Sequence, residues 1–307
     1  MSTRKELTLK GTAEMAITAD GVFQVDGAKC LKCGLCVQDC AFGALRMDDS
    51  RTPVMAKPEA CMRCQHCLAV CPAGAVTFDG IVPEQCLSTN GLELPSFDAA
   101  ANWLRTRRSM RRFAKEDVDR ETLDRVLRVL GNAPTGCNAR SLTFTCLPTR
   151  KAMERFKEAF ITTLESHRDG SRLLPRWLAV PAIKLRNGVG DIFFRNASGM
   201  LVVSTDETNA AVTTPREDVT IACAHFELLA NAAGIATCWC GFLGLIQKEV
   251  PEILERTLGI RRTAPFYAVL FGKAAVRYAR GVHRDAYART IYWGDRLTGA
   301  GIAGGDR

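Results

Sequence analysis

Apolar positions Leu123, Val126, Leu127 and Leu130 recur at helical spacing behind an Asp119 able to cap and ahead of Gly131, which predicts a helix over 120–130. Thr214, with Pro215 next and Glu217 three residues on, reads as a capping box that opens a second helix over 215–233, closed at Gly234. Strand-like runs cover Leu142–Leu147, Met200–Ser204, Ile235–Cys240 and Phe266–Phe271. Helices and strands intermix, so the larger part of the chain reads as α+β. The stretch Leu228–Ile246 has no charged residue and is about as long as a bilayer span. Asn231, Gly234, Gly241 and Gly244 interrupt it, and its periodicity changes at Gly234, so it reads as helix, turn and strand inside a core, and no membrane span is expected.

Between the halves, PEQCLSTNGLELPSF at 83–97 is polar, holds two prolines and lacks periodicity. It reads as a linker, which divides the chain into a first domain at 1–82, a connection at 83–96 and a second domain at 97–307. The glycine-rich tail GAGIAGGDR reads as disordered. With 307 residues, 47% of them hydrophobic, the second domain can build an ordinary core. The net charge of +8 favours anionic partners. Met1–Lys10 is charged at Arg4, Lys5, Glu6 and Lys10 and has no apolar core, so no secretory signal is expected and a cytoplasmic setting is.

Candidate chemistry starts with eight cysteines in two runs of identical spacing, Cys30, Cys33, Cys36, Cys40 and Cys61, Cys64, Cys67, Cys71. Three thiolates two residues apart on a tight loop can converge on three corners of a 4Fe-4S cube, leaving the fourth to come from elsewhere. Zinc, with four ligands in one tetrahedron, suits the pattern poorly, and disulfides would need an oxidising compartment. The spacing C-x2-C-x2-C-x3-C, the residues GLC at 34–36 and the AFGAL and PAGAV segments resemble a two-cluster bacterial ferredoxin over roughly residues 20–82. The resemblance implies two 4Fe-4S clusters, one held by Cys30, Cys33, Cys36 and Cys71, the other by Cys61, Cys64, Cys67 and Cys40. Pro72 follows the second run, but Ala41 stands where a proline usually follows the first, which is expected to loosen that turn. His66 is expected to point outward rather than ligate.

The densest charge lies in RTRRSMRRF, with Arg105, Arg107, Arg108, Arg111 and Arg112 around Ser109. Guanidinium forks match phosphate oxygens, and no aromatic interleaving accompanies the run, so a phosphorylated cofactor is favoured over nucleic acid. Arg107, Arg108, Ser109 and Arg111 resemble the R-R-S-x-R segment with which the nitroreductase family grips flavin mononucleotide (FMN). Pro134, Thr135, Gly136, Cys137 and Asn138 are similar to that family's turn under the flavin ring, whose first two positions serve the neighbouring subunit's flavin; its Q-P-W portion is absent. GIATCWCGFLGL resembles the segment behind the ring, which implies that Trp239, Cys240 and Gly241 lie near it. Gly272, Lys273 and Ala274 stand where the family has a turn before a basic tail, and Arg280, ahead of Arg284, is the better candidate for phosphate contact. Over about residues 97–295 the resemblance implies a three-layer α+β sandwich and an intertwined homodimer. Cys238 and Cys240 could tune the flavin, although a free cysteine is commonly just a small buried hydrophobe.

Together these readings imply an iron-sulfur flavoprotein in which clusters deliver electrons singly and FMN passes them on in pairs to a nitroaromatic, quinone or activated-alkene acceptor. No side chain is needed as acid or base. The donor is expected to be a reduced ferredoxin or NAD(P)H; no G-x-G-x-x-G follows a strand, but relatives bind nicotinamide over the flavin without one. Oxygen-sensitive clusters point to an anaerobic setting. The alternatives are a non-catalytic carrier or redox sensor, a zinc-stabilised nucleic-acid binder, and a dehydrogenase or flavin-fragmenting enzyme on the same fold.

Overall fold

The computed structural model describes residues 22–168, 174–206, 208 and 211–284, so the charged N-terminal segment and the glycine-rich tail lie outside the described residues. Its contacts divide the chain into two compact units. One comprises the described residues up to Glu93 with Pro134–Leu142 and Asp206–Asp218; the other comprises Leu94–Ala133, Thr143–Thr205 and the described residues from Val219 onward.

The first unit repeats one motif. Strand β1 (Phe23–Val25) leads to the first cysteine run, which ends in a one-turn helix, α1 (Leu35–Gln38), followed by β2 (Leu45–Met47) and β3 (Pro53–Met55). The second run leads in the same way to α2 (His66–Ala69) and β4 (Val76–Phe78). β1 pairs antiparallel with β4, and β2 with β3. Equivalent residues of the two runs share left-handed backbone: Lys32 and Arg63 have φ 54°, Gly34 and Gln65 have φ 74° and 64°, and Gly43 and Gly74 have φ 62° and 56°. The elements are too short to show periodicity, and a small cluster of Phe23, Leu45, Leu68, Val76 and Phe78 is all the ordinary core they enclose. The turns after the fourth cysteines both close, through Gly43 N–H to Cys40 O at 3.0 Å and Gly74 N–H to Cys71 O at 3.2 Å. Ala41 therefore does not loosen its turn, because the left-handed glycine, rather than the proline, sets it.

In the second unit, helices α3 (Phe97–Thr106) and α4 (Arg120–Leu130) precede strand β5 (Leu142–Leu147), and α5 (Arg150–Arg168) and α6 (Arg176–Arg186) precede β6 (Gly199–Thr205). Then come α7 (Pro215–Ala232), β7 (Ala236–Trp239), α8 (Gly241–Glu249), α9 (Ile253–Leu258) and β8 (Phe266–Gly272). Asp119 caps α4 as expected, accepting from Thr122 N–H at 2.8 Å. The partner of the Thr214 side chain is Asp218 rather than Glu217: its hydroxyl donates to Asp218 Oδ1 at 2.8 Å. The sheet runs β5-β6-β8-β7, with β6 and β7 both antiparallel to β8. Alternation of side chains explains the layers. Met200 and Val202 of β6 and Ala268 and Leu270 of β8 pack with α5, α8 and α9, while Phe271 faces Phe226 of α7 at a ring separation of 5.8 Å. This α+β arrangement places helices on both faces of the sheet. Gly234, at φ 75°, makes the turn between α7 and β7. No helix among the described residues is long and apolar enough to cross a membrane.

Candidate functional site

Two cavities in the first unit sort the eight cysteines. Cys30, Cys33, Cys36 and Cys71 line one, together with Leu31 and Leu35. Cys40, Cys61, Cys64 and Cys67 line another, together with Phe42 and Met55. Each set thus draws three thiols from one run and one from the other, the division that the ferredoxin resemblance implies. Three of the sulfurs meet backbone donors: Lys32 N–H to Cys30 Sγ at 3.4 Å, Ala44 N–H to Cys40 Sγ and Ala75 N–H to Cys71 Sγ, both at 3.3 Å. Donors of this kind stabilise charge on a thiolate. Burial works the other way in the metal-free protein, pushing the thiols of Cys36 and Cys61 up and that of Cys67 up to about 12. Iron binding must displace those protons.

The sets fit an iron-sulfur cluster better than zinc. Among the described residues no three His, Cys, Asp or Glu side chains converge as ligands of one metal ion. Zinc draws its thiolates to about 2.3 Å from a single point, whereas each thiolate of a 4Fe-4S cluster binds a different iron around a volume. His66 opens α2 and is exposed, its Nδ1 3.4 Å from Cys64 O.

The arginine segment lies in the second unit. Leaving α3 at Arg107, it runs beside edge strand β7, where Met110 N–H donates to Thr237 O at 2.7 Å, and Phe113 then bridges antiparallel to Ala274. The chain near Arg280 returns to it: a Cβ on Gly281 would stand 2.8 Å from Arg105 O. Sequence-distant candidates are thereby brought together, since Cys238 and Trp239 directly follow Thr237 on that edge. The arginines have separate roles. Arg107 donates to Glu227 Oε1 at 2.9 Å, and Arg108 to the backbone oxygen of Arg105 at 2.6 Å. Ser109 is half-buried, whereas Arg111 and Arg280 are exposed and suit a phosphate group. Trp239 packs edge-on against Tyr267 at 5.1 Å, and Gly241 opens α8 with room for little more, as a Cβ would stand 3.3 Å from Tyr267 Oη.

Cys240 is buried, donates to Phe193 O at 3.6 Å and has its thiol pushed up to about 12 by burial. At pH 8 the thiol form therefore dominates, and the thiolate is the nucleophile. Iodoacetamide at that pH is expected to label the exposed Cys86 and Cys137 of the metal-loaded protein and to spare Cys240, as read by peptide mass spectrometry.

The turn Pro134–Leu142 belongs to the first unit. Cys137, Asn138 and Arg140 have φ 49°, 53° and 46°, conformations that cost non-glycine residues about 1–2 kcal/mol each and persist only where surroundings hold them. On one side Gly136 N–H donates to Asp218 Oδ1 at 2.9 Å, and Arg140 N–H to Thr135 Oγ1 at 3.0 Å. On the other, Asn138 Nδ2 donates to the carbonyl oxygens of Met62 and Arg63 at 2.9 and 3.1 Å. A Cβ on Gly136 would lie 2.2 Å from Thr214 Oγ1 and 2.6 Å from Thr213 Oγ1. Gly136→Ala is therefore expected to destabilise the protein by about 1–3 kcal/mol, measured by denaturant unfolding. Unchanged stability would show that the two threonines move aside freely.

Residues that the motifs did not single out carry much of this geometry. Glu227 and Asp218 are buried acids on α7, 7% and 1% exposed, and Asp218 Oδ2 has no hydrogen-bond partner among the described residues. Such an orphan acceptor suits an N–H group of a bound ligand. A second buried pair, Lys157 with Asp191 at 2.5 Å, supports the left-handed Arg195–Asn196 turn, because Asp191 also accepts from Phe194 and Asn196 N–H. For Glu227 the available signal was an acid inside the otherwise apolar stretch of α7.

The nitroreductase family model matches residues 104–273, and a 4Fe-4S dicluster domain model matches residues 29–75. Among solved structures, the chain is similar to an FMN-bound nitroreductase from Desulfitobacterium hafniense, with 22% identity, a TM-score of 0.47 and coverage of 62% of this chain and 97% of that one. An FMN-bound nitroreductase from Bacteroides fragilis shows 17% identity and a TM-score of 0.49, covering 62% and 98%. An FMN-dependent nitroreductase from Mycobacterium smegmatis in complex with NADPH shows 20% identity and a TM-score of 0.44, covering 64% and 99%. No curated protein matches the chain.

Proposed function

Because the chain belongs to the nitroreductase family and carries a 4Fe-4S dicluster domain ahead of that region, we propose that it passes electrons from two clusters to FMN and on to a nitroaromatic, quinone or activated-alkene acceptor. The observation that carries this reading is the pair of separate cavities, each walled by four cysteines. When bound, the clusters supply single electrons and FMN collects two of them for delivery to one acceptor.

The chain's own residues bind and orient. Cys30, Cys33, Cys36 and Cys71 hold one cluster, and Cys40, Cys61, Cys64 and Cys67 the other. Arg108, Ser109, Arg111 and Arg280 hold the FMN phosphate, with Arg107 tethered by Glu227 shaping the segment. Pro134, Thr135, Gly136, Asn138, Trp239, Cys240 and Gly241 border the ring, as in the resemblance. No residue is required as acid or base. A homodimer, a ferredoxin or NAD(P)H donor and an oxygen-poor cytoplasm complete the proposal, and the +8 charge suits an acidic donor.

The test is anaerobic. Protein reduced with dithionite and freed of excess reductant is mixed with a panel of nitroaromatics, quinones and activated alkenes, and the flavin absorbance is followed. Reoxidation by members of the panel, with two electrons per product formed, supports the reductase. Reoxidation by dioxygen alone would make the protein a carrier or sensor instead.

A further inference from the structure

The two halves of the first unit repeat the same loop, yet their surroundings differ. In the first loop Leu31 is 68% exposed and Leu35 39%, and Lys32 and Cys33 are exposed. Of the equivalent positions in the second loop, Cys64 and His66 are exposed as well, whereas those matching Leu31 and Lys32 are covered. Met62 and Arg63 are half-buried, Arg63 is clamped by Asp79, and both carbonyl oxygens accept from Asn138 Nδ2. The amide that covers them sits at φ 53°, in a turn fixed from behind by Asp218. A side chain on left-handed backbone, bonded to two consecutive carbonyls between Cys61 and Cys64, ties that cluster's loop to the turn. No equivalent contact is present, among the described residues, at the carbonyls of Leu31 and Lys32.

We infer that the relay is polar: the cluster held by Cys40, Cys61, Cys64 and Cys67 is the one that discharges to the flavin, through the side of the loop that Asn138 covers. The cluster held by Cys30, Cys33, Cys36 and Cys71 receives electrons at the open face around Leu31 and Lys32. This rests on the reading above, in which Pro134–Asn138 borders the flavin. Each passage moves one electron from a reduced iron-sulfur protein, which is oxidised by one electron. Two passages, with protons drawn from water, reduce one FMN. Asn138 is a positioning residue in this scheme, since it acts on the cluster through the loop backbone.

The experiment uses the full chain, purified anaerobically, in the wild type and in Cys33→Ser, Cys64→Ser and Asn138→Asp. Clusters are reduced in a stopped-flow mixer by viologen radical, and flavin bleaching is followed separately from cluster bleaching. Cys33→Ser is expected to keep fast transfer from the remaining cluster to flavin, and Cys64→Ser to slow it at least a hundredfold at equal flavin content. Asn138→Asp, which sets an acceptor against two carbonyls with all cysteines present, is expected to slow transfer about tenfold. It is also expected to shift the electron paramagnetic resonance signal only of the cluster that Cys64→Ser removes, and to speed hydrogen exchange at 61–64 but not at 30–33. Slower transfer in Cys33→Ser than in Cys64→Ser, or a shift confined to the other cluster in Asn138→Asp, would overturn the assignment while leaving the proposed function standing. Wild-type protein lacking flavin would overturn both.

Discussion

Cys71→Ser is expected to damage the cluster of the first run although it lies in the second. In the structure Cys71 faces Cys30, Cys33 and Cys36, whereas Cys40 faces Cys61, Cys64 and Cys67. A serine oxygen is a harder, shorter ligand than thiolate and holds iron poorly at such a corner. Iron and acid-labile sulfide should fall from about eight to about four per chain, and flavin content should stay as in the wild type. The resonance spectrum of the surviving cluster should match that of Cys33→Ser. A match to Cys64→Ser would show that each run holds its own cluster and would contradict the crossed sets.

Arg107→Ala is expected to lower stability by about 3 kcal/mol before any effect on flavin is considered. The side chain of Glu227 is 10% exposed and that of Arg107 24%, and they meet at 2.9 Å. Removing the guanidinium leaves a buried carboxylate for which, among the described residues, Thr237 Oγ1 at 3.4 Å is the remaining donor. Stranded buried charge is what makes breaking such a pair costly. Adding Glu227→Gln to Arg107→Ala removes that charge and should recover most of the lost stability. Flavin affinity should remain reduced, because the segment that carries Arg108, Ser109 and Arg111 loses its tether. Chemical unfolding and fluorescence titration with FMN separate the two effects. If the double variant binds FMN as tightly as the wild type, Arg107 is purely a structural partner of Glu227.

Legibility in the sequence followed the range of the interaction. The cysteine runs were readable because ligand geometry demands fixed local spacing, and the crossed sets appear in the cavities. Helix α4 was readable from Asp119 and its apolar stripe, and the four strands of the large sheet from their β-branched and aromatic runs. Helix α5 was not singled out, although Met153, Phe156, Phe160 and Leu164 recur at helical spacing and form its buried face. Helix α6 was harder, since Pro181 stands inside it and Trp177, Val180 and Ile183 are exposed. The pairing of Arg107 with Glu227 and of Asn138 with Met62 and Arg63 joins positions far apart in the chain, which no local pattern encodes. The charge run at 105–112 is the basis of the proposed phosphate site, but it does not tell which guanidinium groups the fold itself engages.

Two iron-sulfur clusters and one flavin are expected to reside in the same chain. Anaerobic purification followed by assay of iron, acid-labile sulfide, zinc and extracted flavin tests it directly. About eight iron, about eight sulfide and about one FMN per chain, with negligible zinc, is the predicted result. Stoichiometric zinc without sulfide, or protein that releases no flavin on heating, would contradict it.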